Sequence, residues 1–182
     1  DGAVAGDVHI TLHGANVHPR DIAKPVFRPF PIQYVSTWTT RLGQAVTIRP
    51  ISAEDEPTMV DFHRRLSKSA VHLRYFQMVP LGRRISHEAL TRACVVDYDR
   101  EMVLVAERRD AGYDERQILA VASLVKSSRK NEGEVAVLVR DDYQRHGLGT
   151  ELVRRLLEVA RDEHLDRVVA TTMVDNQGMC NV

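Results

Sequence analysis

Apolar residues along this chain keep one of two spacings, and the changes of spacing mark out the elements. Alternation through Ala45–Pro50 ("AVTIRP") predicts a strand that the proline ends. Ser52-Ala53-Glu54-Asp55 has the form of a capping box. Met59, Val60, Phe62, His63 and Leu66 then recur at helical spacing, so an amphipathic helix is expected. "SAVHLRYF" (69–76) predicts a second, shorter helix, and "SHEALTRAC" (86–94), opened by Ser86, a third. Three strand-like runs follow: "REMVLVAER" (100–108), "RQILAVASLVKSS" (116–128) and "EVAVLV" (134–139). Turn residues separate them, Asp110, Gly112 and Asp114 in the first connection and "SSRKNEG" (127–133) in the second. After Gly149, one helical face carries Leu152, Val153, Leu156, Leu157 and Ala160, and the other carries Arg154, Arg155, Glu158 and Arg161. "DRVVATTMV" (166–174) reads as a last strand, and "DNQGMCNV" (175–182) as the start of another element.

This order predicts an α/β (α+β) fold: a mixed, mostly antiparallel central sheet flanked by helices, with one strand–helix–strand crossover near its end. Residues 1–44 follow a different pattern. "VHITLHG" (8–14) has strand character, but Pro25, Pro29 and Pro31 then impose an extended path unsuited to helix or sheet interior. That segment is expected to be an arm or interdomain linker ahead of a domain spanning 45–182, with Trp38 packed between the two.

Charge narrows the field of partners. Lys and Arg number 25 and Asp and Glu 25, so the basic excess that nucleic acid or an anionic membrane would call for is missing. No apolar run approaches the roughly 20 residues of a membrane span. The opening "DGAVAGDVHI" lacks a Met, a basic region and an apolar core, so it is no signal peptide and reads as an excised piece of a longer, cytoplasmic protein. Cys94 and Cys180 lie far apart with no metal-like spacing. Two reduced thiols are expected, and no metal.

The candidate chemistry sits in "DYQRHGLGT" (142–150), between a strand and a helix. A helix's first N–H groups lack intrahelical partners, and its dipole places partial positive charge there. Gly147 and Gly149 remove Cβ atoms and permit unusual backbone angles, so a phosphate could approach. The loop lacks the Lys of a Walker loop, and Leu152 stands where a dinucleotide fingerprint needs its third glycine. On these grounds alone a plain tight turn and a phosphate site remain equally open.

Gln144-Arg145-His146-Gly147-Leu148-Gly149 fits Q/R-x-x-G-x-G/A, and in this the chain resembles the GNAT superfamily of acyl-CoA-dependent N-acyltransferases. Three longer stretches, "VTIRPISAEDEPTMVDFHRRLSKSAVHLRYF", "DYDREMVLVAE" and "NEGEVAVLVRDDYQRHGLGTELVRRLLEVARDE", resemble the GNAT domain of Pat-type bacterial protein lysine acetyltransferases. There the domain often follows one resembling NDP-forming acyl-CoA synthetases, and "RPFPIQYV" resembles the linker. The resemblance implies that residues 1–44 are the tail of such a preceding domain. It also implies acetyl-CoA as cosubstrate and a protein lysine, plausibly of an acyl-CoA synthetase, as acceptor.

Residue by residue, the resemblance makes Glu134 the general base, with Glu132 as substitute. It directs the main chain of Val137, Leu138 and Val139 to the pantetheine, their side chains being core. Gln144, Arg145, His146, Gly147, Leu148, Gly149 and Thr150 would surround the pyrophosphate. Arg145 either pairs with the 3′-phosphate or is simply solvated, and His146 reads as a bystander. Asn176 would contact the pantetheine. Relatives carry the acid that protonates the leaving thiolate on a further helix, so that residue is unassigned here and the domain is read as C-terminally incomplete. His63, His72 and His87 read as solvated or hydrogen-bonded. The alternative functions are acetylation of a small amine and non-catalytic acyl-CoA sensing.

Overall fold

The computed structural model describes residues 29–109, 116–127 and 130–180. Among them six strands form one sheet in chain order: β1 (Ser36–Thr39), β2 (Ala45–Pro50), β3 (Glu101–Arg109), β4 (Arg116–Lys126), β5 (Glu132–Val139) and β6 (Arg167–Val169). Neighbours run antiparallel except β5 and β6, which are parallel. Helices α1 (Glu56–Arg64), α2 (Lys68–Tyr75), α3 (Leu81–Arg84) and α4 (His87–Cys94) connect β2 to β3. Helix α5 (Leu148–Asp162) is the crossover between β5 and β6, and α6 (Gln177–Cys180) follows.

Strand alternation sorts the core into two layers. Val46, Leu104, Leu124 and Val135 face α5, which buries Leu148, Leu152, Leu156, Val159 and Ala160 against them. Val103, Val105 and Leu138 face the other way, onto Met59 and Phe62 of α1 and Leu90 and Cys94 of α4. Each fully buried leucine contributes about 1.5–3 kcal/mol, so a charge placed on either face would break the layer. The register shifts between Ala106 and Glu107, where Ala120 and Ile118 are their partners and Leu119 is the extra residue. Leu119 and Ala120 consequently both pack on the α5 side.

Side-chain caps hold the helix starts as the sequence implies. Ser52 and Asp55 form a reciprocal capping box around a 3-10 turn (Ala53–Asp55) that precedes α1. Ser86 accepts from Ala89 N–H as expected, and Ser67, ahead of the predicted start of the second helix, accepts from Ala70 N–H.

Several expectations need amending. The segment before residue 45 is not wholly an arm, since Ser36–Thr39 pairs with β2 as the first strand of the sheet. Strand β1 also runs along α5: Tyr34 Oη donates to Asp162 at 2.9 Å, and Arg155 donates to Ser36 Oγ. Helix α1 stops at Arg64, short of Leu66. Helix α5 starts at Leu148, and Val159 takes the fully buried place expected for Leu157. The last strand is three residues long, because only Glu132–Glu134 of β5 accompany it. "VHITLHG", Pro25 and the Asp110-Gly112-Asp114 turn lie outside the described residues.

One buried feature had no forecast. Arg49 on β2 forms a bidentate pair with Asp55 (both bonds 2.7 Å) and also donates to Glu107 on β3. Asp55 is 0% exposed and Glu107 3%. Burial alone would raise the Asp55 pKa, but bonds from Arg49 and the Ser52 N–H overcome it and hold the carboxyl below its ordinary value.

Candidate active site

The site is built where β5 and β6 part. Their ladder ends at the pair Glu134–Val169, and β5 continues to Val139 without β6 beside it. Two backbone bonds fix which β5 groups remain free: Arg140 N–H to Leu119 O (3.0 Å) and Ser127 N–H to Glu132 O (2.9 Å). By antiparallel alternation, Glu134, Ala136 and Leu138 direct their main chain to β4. Val137 and Val139 direct theirs past the fork, and the Gln144 side chain donates to Val139 O at 3.2 Å. Leu138 therefore departs from the expectation that grouped it with Val137 and Val139: its backbone serves the pair with Val121.

Glu134 occupies the last rung of the fork and is exposed. Thr171, just past β6, donates to its Oε1 at 2.8 Å. Glu132, the substitute, lies on the strand rather than in the turn and is paired with Arg167 and Lys130. Those cations hold its pKa down, the Arg167 hydrogen bond foremost.

On the sheet face that Glu134 shares with Ala136 and Leu138 there is a pocket of about 130 Å³, open to solvent. Phe62, His63, Arg74, Glu101, Ser123 and Ala136 are among its walls. Register places Glu101 and Glu134 on either side of Val125 in one rung. Burial raises the Glu101 pKa, with Arg74 opposing. His63 is pushed down to about 4 by burial and by the charge of Arg84. Arg84 also donates to the His63 carbonyl at 3.0 Å. Sequence reasoning set His63 aside and missed Glu101 and Arg74, because nothing in their spacing tells that a strand start and a helix end meet.

The glycine loop is anchored from below and open above. Tyr143 is buried, accepts from Arg108 at 2.6 Å, and lies under the Arg140 guanidinium at 5.1 Å. Asp141 receives the Ser67 hydroxyl (2.6 Å) and N–H (2.9 Å), tying the loop to the start of α2. The chain then reaches Arg145 at φ 64° and Gly147 at φ 86°, where Gly147 caps α5. A side chain at Gly147 would be strained by that φ, and its Cβ would lie 3.4 Å from both Trp38 and Arg41. Glycine here thus serves the turn and the packing of β1.

Leu148, Gly149 and Thr150 form the first turn of α5, whose leading N–H groups have no intrahelical acceptor. The His146 Nδ1 is buried without a partner. Neither Arg41 nor Arg145 forms an ion pair among the described residues. Donors and cations with no protein acceptor suit a phosphate-bearing ligand. Asn176 is otherwise engaged: its Oδ1 accepts from Met179 N–H at 3.1 Å as the cap of α6. Cys94 is buried and its thiol pushed up to about 11 by burial, so it is no nucleophile. Among the described residues no cluster suits a metal ion, and no helix is long and apolar enough to cross a membrane.

Residues 45–182 match the family model described as an acetyltransferase (GNAT) domain. An acetyltransferase from Pseudomonas aeruginosa is 28% identical over 137 residues, covering 75% of this chain and 71% of that protein. The GNAT domain of S. lividans PAT superimposes with TM-score 0.72 at 24% identity, covering 84% of this chain and 86% of that one. A cAMP-binding acyltransferase from Mycobacterium smegmatis gives TM-score 0.52 at 26% identity, over 82% of this chain but only 42% of its own. The β5–β6 fork, the glycine loop and the family match agree, and the chain belongs to the GNAT acetyltransferases, whose fold uses acetyl-CoA.

Proposed function

We propose that this protein transfers an acetyl group from acetyl-CoA to the ε-amine of a protein lysine, with Glu134 as general base. The observation that carries the reading is Glu134 at the end of the β5–β6 ladder, on the sheet face of the Glu101 pocket. A lysine amine with a pKa of ~10.4 is almost wholly protonated near neutrality and cannot attack a carbonyl. A carboxylate at the fork accepts that proton, directly or through one water. The pocket is the entry for the acceptor: apolar walls suit a lysine's methylenes, and Glu101 and Glu134 attract its ammonium.

Bound acetyl-CoA supplies an electrophilic thioester, and the protein's part is to hold and orient it. Val137 and Val139 present main-chain groups to an extended pantetheine as a strand edge would. The amides of Leu148, Gly149 and Thr150, with Gln144, Arg145, His146 and Gly147 around them, receive the diphosphate. Asn176, whose Oδ1 caps α6, offers its amide N–H groups to the pantetheine. No side chain forms a covalent bond to the acyl group. The likeness to Pat-type enzymes supports an acyl-CoA synthetase as acceptor, a preceding domain ahead of strand β1, and action in the cytoplasm.

Glu134→Gln tests the reading. Acetyl-CoA binding should be kept, and transfer to a lysine-bearing acyl-CoA synthetase should fall by about 10²–10⁴. Mass spectrometry of the acceptor reads the outcome. Unaltered transfer by this variant would remove Glu134 from the mechanism.

A further inference from the structure

Strand β1 and the turn that leads into β2 lie ahead of the matched residues 45–182, and that turn reaches the glycine loop. Arg41 N–H donates to the His146 carbonyl at 3.2 Å, and the Arg41 side chain crosses Gly147 with Nε 3.4 Å from its missing Cβ. The turn is itself fixed. Thr40 N–H donates to Gln44 O at 2.8 Å, Gly43 N–H to Thr40 O at 2.9 Å, and Gln44 N–H to the Thr40 hydroxyl at 3.1 Å.

This is an unfavourable place for a cation on its own. The positive end of a helix dipole repels it, and Arg145 stands two residues from Gly147 with the same charge. In the next turns of α5, by contrast, Arg154 and Arg155 share Glu151. Two cations without a carboxylate, beside a buried, unpartnered His146 Nδ1, leave a local excess of positive charge that an anion would neutralise.

Resting on the acetyl-CoA reading above, we infer that Arg41 is a phosphate-binding residue of the coenzyme site, contributed by the hairpin from outside the matched domain. Its guanidinium forms charge-assisted hydrogen bonds to a phosphate of the bound coenzyme. Strand β1 is then part of the site as well as an added sheet edge, because Trp38 and the Tyr34–Asp162 bond hold the hairpin against α5.

The test is calorimetric titration of the whole chain with CoA and with dephospho-CoA, for wild type, Arg41→Gln, Arg41→Lys and the hairpin control Leu42→Ala. Arg41→Gln should weaken CoA binding about tenfold, as loss of one charge-assisted bond does. It should raise KM for acetyl-CoA with kcat unchanged and flatten the salt dependence of binding. Arg41→Lys should recover part of the loss, and Leu42→Ala should match wild type. If the loss disappears with dephospho-CoA, the contact is to the 3′-phosphate; if it persists, to the diphosphate. Wild type and Arg41→Gln binding CoA within twofold of each other would overturn the inference and leave the acetyl-CoA reading intact. Wild type failing to bind CoA would instead overturn that reading.

Discussion

Two arginines of the β1–β2 hairpin meet opposite environments. Arg49 lies 13% exposed between Asp55 and Glu107, with its fork occupied by the two carboxylates and the Pro50 carbonyl. Arg41 is exposed at the turn, beside another cation and a helix's positive end, with no carboxylate among the described residues. The first arrangement is closed on itself and pins β2, β3 and the start of α1 together. The second has no counter-charge from the described residues and meets only solvent and a helix's positive end. Charge compensation therefore marks Arg49 as a cation that holds the fold, whereas Arg41 and Arg145 at the glycine loop are open to an anion.

The largest effect should come from breaking the closed set. Asp55→Ala leaves a largely buried Arg49 with Glu107 as its remaining carboxylate and opens the capping box, for a loss of about 3 kcal/mol in urea unfolding. Wild type should show the matching acid response. The folded Asp55 pKa lies below its ordinary value, so its contribution is complete above about pH 4 and drains as pH falls through the lowered value. A loss under ~1 kcal/mol for Asp55→Ala would mean that the pair only repays its desolvation.

Gly147→Ala should come next. Holding alanine at φ 86° costs about 1–2 kcal/mol of stability. Relief of that strain would move the loop, so CoA affinity should fall together with stability. Smallest in stability is Arg145→Gln, within about 0.5 kcal/mol of wild type or slightly above it, because the change removes a repelled charge. Its CoA affinity should nevertheless fall several-fold. If Arg145→Gln destabilised as Asp55→Ala does, the distinction between the two kinds of cation would fail.

Much of this architecture could be read from spacing alone. The three-strand meander, the capped helices and the crossover all express local periodicity and local caps, which a linear reading can see. Strand β1 escaped because prolines dominate its approach, and pairing with β2 is decided by a partner across a turn. Arg49 and Glu107 escaped for the same reason: their attraction depends on register between strands. In the candidate site, the placement of Glu134 on a strand and of the loop ahead of a helix was legible because strand, turn and helix are contiguous. The division of labour along β5 was not, since which of Val137, Leu138 and Val139 faces the fork depends on hydrogen-bond phase. Glu101, Arg74 and Arg41 come from three distant segments, and only folding assembles them.

The Ser67 hydroxyl has a further consequence. It bonds Asp141 of the loop while accepting from Ala70 within α2, so one oxygen joins the nucleotide side of the molecule to the helix that ends in Arg74 and Tyr75. A displacement of the loop would therefore reach the first turn of α2, whose last turn lines the pocket with Arg74 and Tyr75. Linkage then works in both directions: whatever one substrate does to the grip on the other is returned in equal measure.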